Sequence, residues 1–585
     1  MRRISRNGTV ARQYTTPSYN VKVNTLAAAL LAAALPLCAQ MAIFPLSAVK
    51  QGQRGTGKTV FSGTTISDFE VEILGVLENA GPKQSIILGR LSGGPLAQSG
   101  VLQGMSGSPV YIDGKLVGAV AMAFAFAKEP IAGIRPIEEM LAVKLPPVRA
   151  KLDTAPAQIA AGAAKMVDIA TPLSLGGFTT RTVEQFAPQL RALGLEPMQG
   201  SLSGRSASGR ASGPPQPGSM ISVHLITGDF NVGADGTVTH IDGNKVFAFG
   251  HRFLSIGATE LPFSRAEVLT LLPNLNTSFK ISSSREPLGV ITADYTSAIS
   301  GELNRKANLV PAVIRVNGRD KVSYRLNIAR DRLLSPFLLQ MALFSAIDAT
   351  ERTTGAATVR VRGKLEFAGA PAVAIDNTYA SDNGAFLPAS LAASIPLSYA
   401  MQSGFTELTP RVVELDVDVA NESKQYRLDG FRASPATVHP GETVSFHVLL
   451  SGPGGSEVRR TAQWRVPIGQ PAGNLVVTAA DAFTVNVQDY GFIINQPPTT
   501  LAQVLKVLNG LRPNSNLNLR IARQTPGYTV RGYQLPDPPP SVAQLLRRQP
   551  GEALAAAQSK IAEFDFSVAE AAISGSKTIQ IEIKE

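Results

Sequence analysis

The stretch 102–124, "LQGMSGSPVYIDGKLVGAVAMAF", sets Ser106 between Gly104 and Gly107 and then runs through two apolar segments joined by Asp113-Gly114. Asp-Gly between apolar runs is a strong short-range signal for a tight hairpin. The reading is therefore a glycine turn followed by strands at "SPVYI" and "KLVGAVAMAF". Glycine lets the chain turn sharply, which sets the amides of Gly104 and Ser106 on one side. A serine hydroxyl is a weak nucleophile until a base takes its proton. Its reaction also needs N–H donors aimed at the developing oxyanion. Ser106 is thus a candidate nucleophile, and the Gly104 and Ser106 amides are a candidate oxyanion hole. The competing reading is a glycine-rich turn before an ordinary hairpin.

The order Gly-x-Ser-Gly, Pro, hairpin is the one found in chymotrypsin-like peptidases. In the α/β-hydrolase elbow a helix follows the serine directly, and no helical pattern follows Ser106. A base must come from the five histidines: His224, His240, His251, His439 and His447. His439 and His447 lie far along the chain. His224 and His240 sit inside strand patterns, where a face-filling role is the ordinary one. His251, in "KVFAFGHRF", follows an apolar strand and a glycine. That puts an imidazole at a strand end, where it can project into a cleft.

The remaining sequence reads as mainly β. Residues 57–145 hold short β-type runs such as "FEVEILGVL" and "SIILGRLSG", and "IRPIEEMLAV" reads as a short helix. "RGTGKTVFSG" lacks phosphate-loop spacing, and Gly55–Lys58 reads as a turn. The serine-bearing half is placed at 40–165 and the histidine-bearing half at 166–365. Within the latter, 197–219 is dense in Ser, Gly and Pro and reads as a flexible loop. A connecting α/β segment is expected at 366–429. An immunoglobulin-like β-sandwich is expected at 430–492, where strand patterns alternate with Gly and Pro turns. A C-terminal α+β region follows at 493–585.

The chain has 585 residues and a formal charge of +11. Residues 1–39 carry five basic residues and no acids, which leaves +6 for the rest. That is mild, and no basic stripe interleaved with aromatics is present, which argues against nucleic acid as a partner. Residues 1–39 read as a signal peptide, with a basic segment before "LAAALLAAALPLC". Export to the periplasm or outside the cell follows, with no membrane span after cleavage; an uncleaved anchor is the alternative. Cys38 is the one cysteine, so the processed chain would have no disulfide or thiolate chemistry. No metal-ligand spacing and no cofactor motif is found.

"GVLQGMSGSPVYIDGKLVGAV" (100–120) resembles the serine motif of the SpoIVB-type peptidases, the stage IV sporulation family. "KVFAFGHRF" is similar to that family's segment around its base. "FEVEILGVL" and "ITADY" also look like family segments. The resemblance implies a chymotrypsin-like double β-barrel with Ser106 as nucleophile and His251 as general base. Two departures stand out. The family's histidine precedes its serine, whereas Ser106 precedes His251 by 145 residues, as if the half-barrels were permuted. Triad geometry does not depend on chain order. The family's acid lies about fifteen residues before the serine, but counting back reaches Leu91 and Ser92. Asp294, in the histidine's half, is the substitute candidate.

The function expected is a serine endopeptidase acting on a protein or peptide substrate, with cell-envelope proteins as further candidate partners. The alternative is a catalytically inactive peptidase-like scaffold of the envelope. A glycan-binding role for 430–585 finds little support in the single Trp464.

Overall fold

Alternation decides the first sheet. Along "FEVEI", Phe69, Val71 and Ile73 are buried while Glu70 is exposed, the period of a half-buried strand. The computed structural model describes residues 42–585 apart from 125–126, 143–157, 162–163, 170, 201–212, 275–276, 351–354, 496, 525–526, 531–532, 536–537, 549–552, 557 and 568–569. Residues 1–39, on which export was read, lie outside the described residues. No helix among the described residues is long and apolar enough to cross a membrane.

The strands of the serine half are β1 (Arg54–Ser62), β2 (Thr65–Gly81), β3 (Gln84–Ser92), β4 (Pro109–Ile112), β5 (Lys115–Phe124) and β6 (Ile131–Pro136). They pair in the order β4-β1-β2-β3-β6-β5, and β4 also pairs β5, so the pairings run in a ring. The closure is short: Thr56 faces Tyr111 and Gly57 faces Val110. Gly55–Lys58, expected as a turn, is part of β1. Gly57 has the ring of Phe69 where a side chain would stand, so this glycine serves close packing across the ring. The β4–β5 hairpin turns at Asp113-Gly114, both with positive φ, as the sequence indicated. β7 (Gln158–Ala161) and β8 (Ala164–Asp168) extend this sheet beyond β5.

β9 (Thr171–Gly176) and β10 (Leu195–Gly200) pair in parallel across the helix Thr180–Ala192. The Thr179 side chain caps that helix by accepting the Thr182 amide at 3.2 Å. The stretch 197–219 therefore begins in a strand, and at its other end Gly218 donates to the Val238 carbonyl at 2.8 Å. A second ring follows. It contains β11 (Met220–Gly228), β12 (Asn231–Asp242), β13 (Lys245–Ala248), β14 (Gly257–Leu272), β15 (Phe279–Tyr295) and β16 (Ala298–Leu303). Their order is β12-β13-β16-β15-β14-β11, with β11 pairing back to β12.

The same sheet runs on through β17 (Leu309–Asn317), β18 (Lys321–Ala329), β19 (Ala357–Phe367), β20 (Val373–Ser381) and β21 (Pro410–Ala420). The expected break at 365/366 falls inside β19, so the histidine half and the connecting segment share one sheet. The helices Leu334–Thr350 and Phe386–Gln402 contribute to the same apolar core. The sandwich also differs from its expected bounds. Its first sheet uses 425–434, 443–451, 457–465 and 572–574, and its second uses 437–438, 473–481, 516–523, 559–567 and 576–583. Phe446 and Leu450 of one sheet share a core with Val477, Leu519 and Ile581 of the other. The region 430–492 is therefore half of a sandwich that 493–585 completes.

The second ring encloses polar groups. His224 Nε2 lies 2.7 Å from Ser264 Oγ and its Nδ1 lies 3.3 Å from Asn231 Oδ1. Burial pushes this imidazole down to about 4, although Asn231 opposes the shift. The unfolded chain binds this proton below its ordinary value of 6.5, whereas the folded chain binds it only near 4. The group's contribution is thus lost as pH falls through that window. Asp235 and Asp294, held high by burial at about 6, act with the opposite sign, so the effect is read as a difference. Between pH 7 and pH 4, wild type should lose about 3 kcal/mol relative to His224→Gln in urea unfolding. A pH-independent difference would contradict this.

Candidate active site

The turn before β4 is held by three of its amides. Met105 donates to the Leu102 carbonyl at 3.1 Å, Gly107 to Val120 at 2.7 Å and Ser108 to Met105 at 2.9 Å. Among the described residues, the amides of Gly104 and Ser106 have no acceptor. Gly104 at φ +89° and Gly107 at φ +91° adopt backbone that L residues rarely take.

Strand β12 of the second ring holds this turn from the other side. Thr237 donates its amide to the Ser106 carbonyl at 2.8 Å and its hydroxyl to the Gly104 carbonyl at 2.9 Å. The Thr239 hydroxyl reaches the Gly107 carbonyl at 2.7 Å. A Cβ on Gly107 would lie 2.0 Å from the Thr237 oxygen and 2.5 Å from the Phe249 nitrogen. The serine turn therefore rests directly on the segment that leads to His251. From the other direction, a Cβ on Gly250 would lie 3.2 Å from the methyls of Ala119 and Ala121 on β5.

His251 follows β13. Its Nδ1 lies 2.6 Å from the Arg252 carbonyl oxygen. A carbonyl only accepts, so Nδ1 carries the proton and Nε2 keeps its lone pair. His251 is 1% exposed and Ser106 is 0% exposed. Neither Nε2 of His251 nor Oγ of Ser106 has a hydrogen-bond partner among the described residues. Burying an unsatisfied polar atom costs about 1–3 kcal/mol, so two such atoms on abutting loops call for a reason. Burial lowers the His251 pKa; the Asp168 charge and the Arg252 carbonyl oppose this, and the Arg135 and Arg252 charges add to it.

Asp294 lies near the end of β15. It accepts the Phe253 amide at 2.8 Å and the Leu254 amide at 2.6 Å, with the Ile256 amide at 3.4 Å. Its hydrogen bonds go to the loop after His251 and none to the imidazole, where the acid of a triad would bond. The atom bonded to Nδ1 is instead a main-chain carbonyl. The carboxylate whose charge acts on His251 is Asp168, which also pairs with Arg252 at 3.9 Å. Neither Arg252 nor Asp168 was reached from the sequence. A carbonyl has no residue signature, and Asp168 lies 83 positions before the histidine. A groove of about 560 Å³ lined by Arg54, Lys58, Tyr111 and Asp113 sits beside the β4–β5 hairpin, and neither Ser106 nor His251 lines it.

A serine with unengaged amides at 104 and 106, and a buried imidazole with a fixed tautomer on a segment that touches the serine turn at Phe249, are parts that serine peptidases use. Residues 33–141 match the family model described as SpoIVB peptidase S55. The matched segment contains the Ser106 turn and ends before His251, and it agrees with the resemblance read from the motif. No curated protein and no solved structure matches the chain.

Proposed function

We propose that the protein is a serine endopeptidase. Its two rings act as the halves of a chymotrypsin-like double barrel in permuted order, and it works after export, in the periplasm or outside the cell. Ser106 Oγ attacks a peptide carbonyl carbon. His251 Nε2 takes the hydroxyl proton and then passes it to the leaving amine. The Arg252 carbonyl holds the Nδ1 proton and so fixes the tautomer. The Gly104 and Ser106 amides receive the oxyanion. Asp294 acts at one remove, by holding the 253–256 loop.

One observation carries this reading: two buried, unpartnered atoms, a hydroxyl and an imidazole nitrogen, sit on loops in direct contact beside two unengaged amides. Catalytic hydrogen bonds are often formed only in the substrate complex. A second reading, an inactive scaffold of the envelope, draws on the burial of Ser106, since substrate reaches it only if the turn opens. A fluorophosphonate probe separates the two. Wild type should be labelled and Ser106→Ala should not; an unlabelled wild type would decide for the scaffold.

Asp294→Asn should slow labelling of Ser106 by about tenfold and lower stability by about 2 kcal/mol, because an amide NH2 would then face backbone donors. Urea unfolding and labelling rates test both halves. Labelling at the wild-type rate would remove Asp294 from the site.

A further inference from the structure

Lys280 is 1% exposed, and lysine is almost never fully buried unless it is paired. It is the second residue of β15. The chain there runs beside the approach to the serine turn: Gln103 donates to the Ser278 carbonyl at 2.8 Å, and Lys280 donates its amide to the Gln103 carbonyl at 3.2 Å. The aliphatic stem packs on Gly104, with Cδ 3.3 Å and Cγ 3.5 Å from where a Cβ would stand. The amine donates to Thr59 Oγ1 of β1 at 2.8 Å. That same oxygen accepts from Ser108 Oγ at 3.0 Å. One side chain thus crosses between the rings and touches the turn on both sides of Ser106, directly at Gly104 and through Thr59 at Ser108.

The carboxylate whose charge acts on the amine is Asp235 of β12, which is hydrogen-bonded to Ser282 of β15 and Ser222 of β11. Removing an ammonium from water is strongly unfavourable even after relaxation, and an apolar chain of similar length could fill the same space. The stem lies against Gly104, whose amide is proposed to receive an oxyanion, and the amine lies at Thr59, one hydrogen bond from Ser108; a cation in a dry site acts strongly on a developing oxyanion.

We propose that Lys280 is a positioning residue of the oxyanion turn: with Thr59 it fixes Gln103–Gly104 and Ser108 and brings a positive charge to the turn that carries Ser106. This rests on the peptidase reading given above. Burial drives the amine down to about 7, against the pull of Asp235. The charge is therefore present below neutrality and lost above it. The base, His251, needs to be neutral, so the two groups bound the active pH range from opposite sides.

The test uses the full chain, peptide hydrolysis and a pH series from 5 to 9. In wild type, kcat should fall to a lower plateau as pH rises through neutrality. Lys280→Met should lower kcat about tenfold or more below neutrality, with KM nearly unchanged, and should lack that alkaline step. A purely structural lysine would change stability and leave the step in place. Should Lys280→Met not fold, Thr59→Val serves instead: it removes the amine's acceptor, so the step should move to lower pH. A folded Lys280→Met or Thr59→Val enzyme with the wild-type step would overturn the role of Lys280 and leave the peptidase reading intact. A wild type inert to both the probe and peptides would overturn that reading, and this role with it.

Discussion

Ser106→Ala is expected to lower kcat for peptide hydrolysis by about 10⁴-fold or more, His251→Ala by a similar factor, and the double variant by little more than either. The reason is geometric. On the proposed reading the hydroxyl is useful only if Nε2 takes its proton, and Nε2 is buried with no partner among the described residues. Removing either group disables the same step, so the losses should not multiply. A residual rate above that of water should survive in all three variants, because the Gly104 and Ser106 amides can still polarise a carbonyl. Steady-state hydrolysis of a peptide by all four forms would measure this. Losses that multiply would mean that serine and histidine act independently, and the shared proton transfer would then be wrong.

The serine side of this site was legible because its signals are local. Gly104 and Gly107 mark positive-φ backbone, and Asp113-Gly114 marks the hairpin. His251 emerged by elimination among five histidines and from its place after an apolar strand. The orienting group was not legible, because Arg252 contributes its carbonyl and any residue there would supply one. Asp294 was singled out as a carboxylate in the histidine's half. Its bonds to three amides of the 253–256 loop depend on the fold of β14 and β15, which no spacing rule reaches. Lys280 has no mark in the sequence that sets it apart from a strand-surface lysine, and its burial between two rings depends on Thr59, 221 positions away. The sandwich was misbounded for a related reason. Strands 473–481 and 516–523 pair across two intervening helices, and non-local pairing leaves no mark on local alternation. The residues that knit the rings together, Thr237 and Thr239, look like ordinary strand threonines, and only their contacts with 104–107 set them apart.

Gly107→Ala should be the most destabilising single methyl addition in this part of the chain, costing more than about 4 kcal/mol, a range reached by overpacking and strain rather than by surface change. Its new Cβ would stand 2.0 Å from the Thr237 oxygen, 2.5 Å from the Phe249 nitrogen and 3.0 Å from the Phe249 Cα. All three are main-chain atoms, so no side chain can swing away. The φ of +91° adds strain of its own. Gly114→Ala provides the control. It has φ +73° but nothing within 4 Å of the added carbon, so only the left-handed cost of about 1–2 kcal/mol applies. Urea midpoints of the two variants should therefore differ widely although both replace a hairpin-region glycine by alanine. The fraction of Gly107→Ala that does fold should also react slowly with the probe, because relief of the clash separates the turn bearing Ser106 from the segment bearing His251. Equal midpoints would mean that the serine turn and the Phe249 backbone are not in contact, and the convergence of the two loops would fail with them.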